Sequence, residues 1–340
     1  MSPPSLNDLL RETSRSFYLT LRVLPGAVRP QMGFAYLLAR TTDTIADTEI
    51  IPVTARLAAL QQLRGRILGT SRTPLSFGAL AQSQGSPAER ALLERVEESL
   101  ALLGRSTRKD LPLLQQVLDT ITSGQELDLQ RFADASAGNV FALRNEAELD
   151  DYTYRVAGCV GEFWTRMCRA HLFPDASLDD QAFLAGAVRF GKGLQLVNIL
   201  RDLPADLRKG RCYLPADRLL AAGMQAGDLL QTECEEELRP LYNRYLDLAA
   251  DHLAVGWAYT DTVPRGQMRV RLACAWPILI GMKTLQRLRV ERILVPERRV
   301  KISRREVRRV VVQSVICYAW PSAWQRLFEA SQLAAPPRPE

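Results

Sequence analysis

The chain has 340 residues, 47% of them apolar and 24% charged, which is the composition of an ordinary globular protein and excludes a disordered chain. It contains no run of 18 or more apolar residues and no basic-then-apolar N-terminal pattern, so we expect neither a transmembrane helix nor a signal peptide. The formal net charge is +6, and the six scattered cysteines and two histidines disfavour a zinc site and indicate thiols in a reducing cytoplasm.

Helical periodicity extends over nearly the whole chain, and Leu, Ala and Arg are abundant, which favours helix. In chain order the predicted helices cover residues 5–12, 29–47, 52–69, 88–103, 110–131, 146–171, 179–202, 216–222, 226–259, 265–290 and 303–331. Loops are predicted at 71–86 and 133–139, and an irregular link at 204–217. No strand pair is evident. We therefore predict an all-α, single-domain bundle over 1–334 with a central cavity, followed by a disordered tail at 335–340.

The first notable pattern is an acidic pair, Asp43 and Asp47, in the helix predicted at 29–47. At about 100° per residue, Tyr36, Arg40 and both aspartates fall on one stripe of an otherwise apolar helix. Like charges spaced i, i+4 repel each other and destabilise a helix slightly. Such a pair is therefore typical of a site that binds a cation.

A second acidic pair, Asp202 and Asp206, repeats this spacing later in the chain. The same arithmetic places Gln195, Asn198 and Asp202 on one face of the helix predicted at 179–202. Pro204 removes a backbone donor and disfavours helix at the preceding residue, so we expect the helix to end or kink there. The position of Asp206 is therefore left open.

Two carboxylate pairs on facing helices have the chemistry of a magnesium-diphosphate site. Mg²⁺ prefers oxygen ligands and is held by one or two carboxylates together with substrate phosphates. Two or three such ions, with nearby cations, would stabilise the charge on a departing diphosphate. The cations available beside the pairs are Arg40, Arg201, Arg208, Lys209 and Arg211. The alternative is two surface helices with solvated carboxylates.

Four ordered motifs over roughly residues 10–330 resemble those of the squalene and phytoene synthases, which join two isoprenyl diphosphates head to head. They are Ser14-Arg15-Ser16-Phe17, Tyr36-x-x-x-Arg40-x-x-Asp43-x-x-x-Asp47, the run from Asp151 and Tyr152 through Val156 to Gly161, and Gln195-x-x-Asn198-x-x-Arg201-Asp202-x-x-x-Asp206 followed by Arg211-x-Tyr213. Ala46 and Ala205 stand where many relatives carry an acidic residue, which leaves the metal affinity open.

The resemblance implies an isoprenoid-synthase bundle in which two farnesyl diphosphates condense through presqualene diphosphate to squalene, with Mg²⁺ and NADPH. The metal ligands implied are Asp43, Asp47, Asn198, Asp202 and Asp206. The catalytic residues implied are Tyr152, Tyr36 and Arg40. The substrate-binding residues implied are Ser14, Arg15, Ser16, Phe17, Arg40, Val156, Gly161, Gln195, Asn198, Arg201, Arg211 and Tyr213. Packing of helices is the alternative role for Gly161.

The product follows less directly from the motifs. The form of the run 39–47 resembles squalene synthases, and the basic run 300–305 resembles a flap near their nicotinamide cofactor. The implied NADPH-binding residues are Lys301, Arg304 and Arg305, and the alternative is a charged turn before a helix. Dehydrosqualene, phytoene and presqualene diphosphate stay open as products.

The segment 265–309 holds 14 Arg or Lys and three Glu, a local charge of 14 − 3 = +11. Nucleic acid, an anionic membrane or a phosphorylated ligand would suit it, as would a solvated helix face. No nucleic-acid-binding pattern is present, so we expect no nucleic acid as a partner. We expect a monomer or weak homodimer in the cytoplasm, with contact to a membrane surface left open. A basic binding module, or a catalytically inactive partner subunit, is the alternative class.

Overall fold

The computed structural model describes residues 6–14, 17–295 and 300–333, and regular structure there is almost entirely helical. The all-α prediction is thus confirmed. Contacts divide the chain into two compact units, unit 1 with residues 1–133 and 162–176 and unit 2 with 134–161 and 177–340. A single domain over 1–334 stays a prediction, and the predicted tail at 335–340 lies outside the described residues. No described helix is long and apolar enough to cross a bilayer.

Unit 1 begins with eight helices. They are α1 (Leu6–Ser14), α2 (Phe17–Val23), α3 (Arg29–Ala46), α4 (Val53–Leu68), α5 (Gly78–Gln82), α6 (Pro87–Glu94), α7 (Val96–Gly104) and α8 (Asp110–Arg131). Helix α3 starts with Pro30 in its first turn, where the missing N–H costs nothing, and it packs against α4 and α8. The predicted helix at 88–103 is two helices, because the backbone of Arg95 leaves the helical region between α6 and α7.

Unit 2 contains the rest of the elements. In chain order they are β1 (Phe141–Leu143), α9 (Glu146–Thr153), a π-helical turn (Tyr154–Gly158), α10 (Cys159–Leu172), α11 (Asp180–Leu207), β2 (Arg211–Pro215), α12 (Ala216–Ala221), two 3₁₀ turns (Ala226–Leu230 and Thr232–Cys234), α13 (Glu235–Thr262), α14 (Met268–Val290), α15 (Arg304–Cys317) and α16 (Pro321–Leu333). From Glu162 onward α10 belongs to unit 1. The predicted helix at 303–331 is divided, since Pro321 begins a new helix.

Two short parallel strands correct the expectation that strand pairs are absent. Phe141 and Ala142 of β1 pair with Arg211 and Cys212 of β2, within the link predicted to be irregular. Gly210 makes the turn into β2 with a φ of 76°, and a Cβ there would lie 2.4 Å from backbone atoms of Ser136. Only glycine fits such a position. Strands this short, far apart in sequence, carry no readable periodicity.

Helix α11 does not end at Pro204, and a kink there, the other expected outcome, stays a prediction. It continues to Leu207, with Pro204 inside it. Leu200, Leu203 and Leu207 are each 1% exposed, so burial of this apolar stripe holds the last turn in place despite the lost backbone hydrogen bond. Asp206 therefore lies in the final helical turn, one turn after Asp202.

Glycines let α10 and the π-helical turn approach the backbone of α11. A Cβ on Gly161 would lie 2.1 Å from the carbonyl oxygen of Ala187, and one on Gly191 would lie 2.2 Å from that of Ala157. We expect Gly161→Ala to destabilise the fold by about 1–3 kcal/mol or more, because the backbone at Gly161 must move away from that of Ala187. Thermal unfolding measures this loss.

Gly104→Ala is the matched control for this substitution. Gly104 is the last residue of α7, and a Cβ there would meet nothing within 4 Å. The control should keep the wild-type melting temperature or raise it slightly. An equal melting temperature for Gly161→Ala and Gly104→Ala would contradict the close approach.

Candidate functional site

The first acidic pair lies at the C-terminal end of α3 in unit 1. Asp43 is half-buried and accepts a hydrogen bond from Nε2 of Gln125 on α8, over 2.6 Å. Asp47 caps the helix, its backbone N–H donating to the carbonyl oxygen of Asp43 over 2.8 Å, and its side chain is exposed. The pair thus has one carboxylate fixed by a neighbouring helix and one facing solvent.

Arg40 and Tyr36, the other members of this stripe, have partners within unit 1. Arg40 contacts Glu89 of α6 over 2.5 Å and Asp43 over 3.8 Å. Its Nε is buried and has no hydrogen-bond partner among the residues described. The hydroxyl of Tyr36 donates to the carbonyl oxygen of Thr13 over 3.1 Å. Arg40 therefore stands between two carboxylates, with donor capacity left over.

The electrostatics of the pair favour a bound cation. Burial raises the pKa of Asp43 to about 7, and the neighbouring Asp47 carboxylate raises it too, against the lowering effects of Arg40 and Gln125. The carboxylate lies deep among protein atoms, although 38% of the side-chain surface still reaches solvent. Two neighbouring carboxylates repel each other when both are ionised. A divalent cation bound by both removes this repulsion, so the pair is a favourable set of ligands.

This raised pKa predicts how pH acts on the protein and on Mg²⁺ binding. The stability that Asp43 contributes is complete below its ordinary pKa of 3.8 and is lost as the pH rises through about 7. Mg²⁺ must displace the proton, so its affinity should increase between about pH 6 and about pH 8. The rise in melting temperature on adding Mg²⁺ measures this effect, which Asp43→Asn should abolish. An equal rise at both pH values in the wild type would count against the assignment.

The second acidic pair lies near the C-terminal end of α11 in unit 2. Asp202 is held in a bidentate ion pair by the adjacent Arg201, with distances of 3.0 and 2.6 Å. Asp206 follows one turn later and is half-buried. Asn198 is exposed, and its amide donates to Oε1 of Gln195 over 3.3 Å. The polar stripe predicted on this helix is thus present, and Asp206 belongs to it.

Tyr152 lies beside this stripe, at the end of α9. Its ring stacks on Tyr213 of β2 with centroids 4.5 Å apart, and Nε2 of Gln195 lies 3.5 Å from its hydroxyl oxygen. The side chain is 9% exposed. The turn that follows, Tyr154–Gly158, is π-helical, a feature that often marks functional sites. The strand β2, unforeseen in the sequence, is what positions Tyr213 against Tyr152.

Other predicted substrate-binding residues are spread along unit 2. Val156 lies in the π-helical turn and is half-buried. Gly161 lies at the close approach to Ala187, so the structure gives it a packing role, and substrate binding there stays a prediction. Arg211 opens β2 and is half-buried.

The predicted N-terminal substrate motif is only partly visible. Ser14 ends α1, is 3% exposed, and donates its hydroxyl to the carbonyl oxygen of Leu10. Arg15 and Ser16 lie outside the described residues, as does the side chain of Phe17. Substrate binding by this motif stays a prediction.

The predicted cofactor residues lie at the start of α15. Ser303 caps this helix through a reciprocal pair of hydrogen bonds with Glu306, and Arg287 of α14 holds Glu306 at 2.8 and 2.9 Å. Lys301, Arg304 and Arg305 are all exposed. Their charges are thus available to a phosphate group, and NADPH binding stays a prediction.

The donor sets suit Mg²⁺ better than a metal that needs a complete protein cage. In either unit, the described residues include no group of three or more His, Cys, Asp or Glu side chains that could hold an ion. Mg²⁺ is usually held by one or two carboxylates and completes its shell with water and substrate phosphate. Asp43 with Asp47, and Asp202 with Asp206 and Asn198, fit that description.

Two residues of the first site were missed or underrated in the sequence. Gln125 lies in the run Gly124-Gln-Glu-Leu-Asp128 of the helix predicted at 110–131, and its amide donates a hydrogen bond to Asp43. Glu89 carried no signal, because its partner Arg40 lies far from it in sequence. Both contacts join separate helices of unit 1.

Comparison with known proteins yields relatives of two activities. A presqualene diphosphate synthase from Rhodopseudomonas palustris is 30% identical over 250 residues, covering 74% of this chain and 76% of that protein. A bifunctional lycopene cyclase/phytoene synthase from Gibberella fujikuroi is 30% identical over 279 residues, covering 80% of this chain. The chain spans 46% of the length of that bifunctional relative, less than half.

Solved structures share the fold. The structure of TcSQS with the ligand E5700 superposes with a TM-score of 0.78 at 21% identity, over 96% of this chain and 88% of that one. Squalene synthase HpnC from Alicyclobacillus acidocaldarius superposes with a TM-score of 0.59 at 20% identity, over 84% of this chain and 92% of that one. The sequence profile described as "Squalene/phytoene synthase" matches residues 10–306. The chain therefore belongs to the squalene/phytoene synthase family.

Proposed function

We propose that the chain condenses two molecules of farnesyl diphosphate head to head through presqualene diphosphate, and reduces this intermediate to squalene with NADPH. The observation that supports it most is the first acidic pair, where Asp43 is fixed by Gln125 and its pKa is raised to about 7 beside Asp47. In a pair with only a structural role, nothing would compensate the repulsion between the two carboxylates. In a site for Mg²⁺ and diphosphate, the bound cation compensates it.

Each acidic pair has a defined part in this proposal. Asp43 and Asp47 would hold Mg²⁺ at one diphosphate, and Asp202, Asp206 and Asn198 at the other. Bound Mg²⁺ would neutralise charge as a diphosphate leaves. Arg201, already oriented by Asp202, and Arg40, held beside Asp43 by Glu89, would add hydrogen bonds to phosphate oxygens.

Tyr152 would act at the carbon skeleton. Its hydroxyl is kept in place by ring stacking on Tyr213 and by Gln195. The hydroxyl oxygen would accept the proton lost as the cyclopropane ring of presqualene diphosphate closes, while the hydroxyl passes its own proton to the departing diphosphate. The two stacked aromatic faces also suit a carbocation, which is stabilised by cation–π contact. Low exposure of both rings limits attack by water on that cation.

Reduction to squalene is the part that depends on residues at the start of α15. Lys301, Arg304 and Arg305 would bind the phosphates of NADPH, since their side chains are exposed and cationic. NADPH would supply the hydride that reduces the intermediate. The capping box of Ser303 and Glu306 would keep the two arginines at a fixed helix end.

A second candidate stops at the intermediate. Presqualene diphosphate synthases from two bacteria match this chain over similar shares of each protein. The match covers 74% of this chain and 76% of the Rhodopseudomonas palustris protein, and 63% of this chain and 62% of the Sinorhizobium fredii protein. Under this alternative the acidic pairs and Tyr152 keep their roles, and the α15 residues have none in catalysis.

One incubation separates these candidates. The purified chain is supplied with farnesyl diphosphate and Mg²⁺, with and without NADPH, and products are identified by mass. We expect presqualene diphosphate without NADPH and squalene with it. Presqualene diphosphate under both conditions would favour the second candidate. Dehydrosqualene regardless of NADPH would overturn both, as would a C40 product in a parallel incubation with a C20 isoprenyl diphosphate. Intact binding without turnover would indicate an inactive subunit.

A further inference from the structure

Exposed apolar side chains concentrate around the end of α15. Val312, Val315, Ile316 and Trp320 are 56%, 43%, 57% and 60% exposed. In the described part of the chain, ten large apolar side chains are at least 37% exposed, and four of the ten fall within nine residues. Single exposed apolar side chains need no explanation, but a group of them on one element marks an interaction surface.

Four arginines precede this apolar group on the same side of α15. At about 100° per residue, Arg304, Arg305, Arg308 and Arg309 fall in a sector of about 140° that also contains Val312, Val315 and Ile316. All four arginines are exposed. None of them forms an ion pair with a residue that the structure describes. We call these seven residues, with Trp320, the α15 face.

The opposite side of α15 is anchored in unit 2. Val310 is 3% exposed, and the hydroxyl of Ser314 accepts a hydrogen bond from the indole N–H of Trp276 over 2.9 Å. The only acidic residue of the helix, Glu306, is held by Arg287 and Ser303. The α15 face is therefore displayed by a fixed helix, and no carboxylate within the helix neutralises its arginines.

We propose that the α15 face docks on an anionic membrane surface. Basic and apolar residues on one exposed helix side are the signature of a segment that lies in the lipid interface, with cations at the headgroups and apolar side chains below them. Trp320 adds an indole, which prefers that boundary. Charge and apolarity are separated along the helix, so the apolar end would enter deeper than the arginine end.

Other occupants fit this surface less well. A second copy of the chain would bring no carboxylate from its own α15 face, and burying these arginines unpaired is costly. Nucleic acid would meet the arginines but leave the apolar half exposed to water. The inference does not depend on the product of the chain, because it rests on the residues of α15 alone.

Vesicle flotation tests the proposal with the whole chain. The probes are vesicles of phosphatidylcholine mixed with phosphatidylglycerol, and vesicles of phosphatidylcholine alone. Two double variants remove one half of the face each, Arg308→Gln/Arg309→Gln and Val312→Ser/Ile316→Ser. Arg304 and Arg305 are left unchanged, since they are also predicted to bind cofactor.

Matched controls remove the same residue types elsewhere. Arg105→Gln/Arg108→Gln removes two exposed charges in unit 1, and Leu220→Ser/Leu230→Ser removes two exposed apolar side chains in unit 2. Each arginine near an anionic surface contributes about fivefold to binding, so the first test variant should bind at least about tenfold more weakly. The apolar test variant should lose at least about tenfold as well. The controls should bind like the wild type.

The outcomes are decisive in both directions. Support requires binding to the anionic vesicles, weakening with salt, loss in both test variants and unchanged melting temperatures. Absence of binding by the folded wild type, or equal binding to neutral vesicles, would overturn the proposal. So would self-association that disappears in Val312→Ser/Ile316→Ser without any vesicle binding, or binding that persists in both test variants.

Discussion

Asp43→Asn should abolish conversion of farnesyl diphosphate to presqualene diphosphate, with a loss of about 10³-fold or more. The substitution keeps the side-chain shape but removes the charge that would hold Mg²⁺. The protein without Mg²⁺ should at the same time become no less stable above about pH 7, because the repulsion between Asp43 and Asp47 disappears. Initial rates at saturating Mg²⁺ and thermal unfolding measure the two effects.

Asp119→Asn is the matched control for this variant. Asp119 is also an aspartate of unit 1, but it pairs with Arg64 of α4 over 2.6 Å, away from the acidic pair on α3. The control should keep most of the wild-type rate and lose at most about 1 kcal/mol of stability. A normal rate in Asp43→Asn, or an equal loss in both variants, would refute the role given to the Asp43 carboxylate.

Tyr152→Phe should lower the rate of presqualene diphosphate formation by about 10²-fold or more, as removal of a proton acceptor does. The phenylalanine ring keeps the stacking on Tyr213, so the fold should tolerate the change. Because only the hydroxyl is lost, KM for farnesyl diphosphate should change much less than kcat. Steady-state kinetics with product detection by mass measure both constants.

Tyr154→Phe controls for the neighbourhood of Tyr152. Tyr154 starts the π-helical turn two residues later, and its ring lies under the ammonium of Lys192 at 5.9 Å. This variant should keep a rate within a few-fold of wild type. If Tyr154→Phe and Tyr152→Phe lose the same activity, the effect belongs to the segment and the proton-accepting role of Tyr152 fails.

Much of the fold is readable from the sequence because apolar periodicity and breakers are local signals. The helix predicted at 110–131 is α8 with the same bounds, and that at 29–47 is α3 with one residue fewer. Local rules failed where tertiary burial opposed them. Pro204 predicted an end or a kink of α11, yet the burial of Leu203 and Leu207 carries the helix onward.

The candidate site was predictable in its residue types but not in its contacts. Spacing placed Asp43 and Asp47 on one face of a helix, whereas Pro204 left the position of Asp206 open. The partner of Asp43 comes from another helix, and the partner of Tyr152 comes from a strand too short to leave a pattern. Such pairs form only when the helices and strands pack together. Their members stand at no fixed separation in the chain, so no sequence pattern reveals them.

Release of diphosphate from farnesyl diphosphate tests most directly whether both acidic pairs act with Mg²⁺. Release is measured in the wild type with Mg²⁺, in the wild type with a chelator, and in Asp202→Asn with Mg²⁺. We expect release only in the first case, since the chelator removes the cation and the substitution removes a ligand. Equal release with the chelator, or in Asp202→Asn, would contradict the magnesium-diphosphate account.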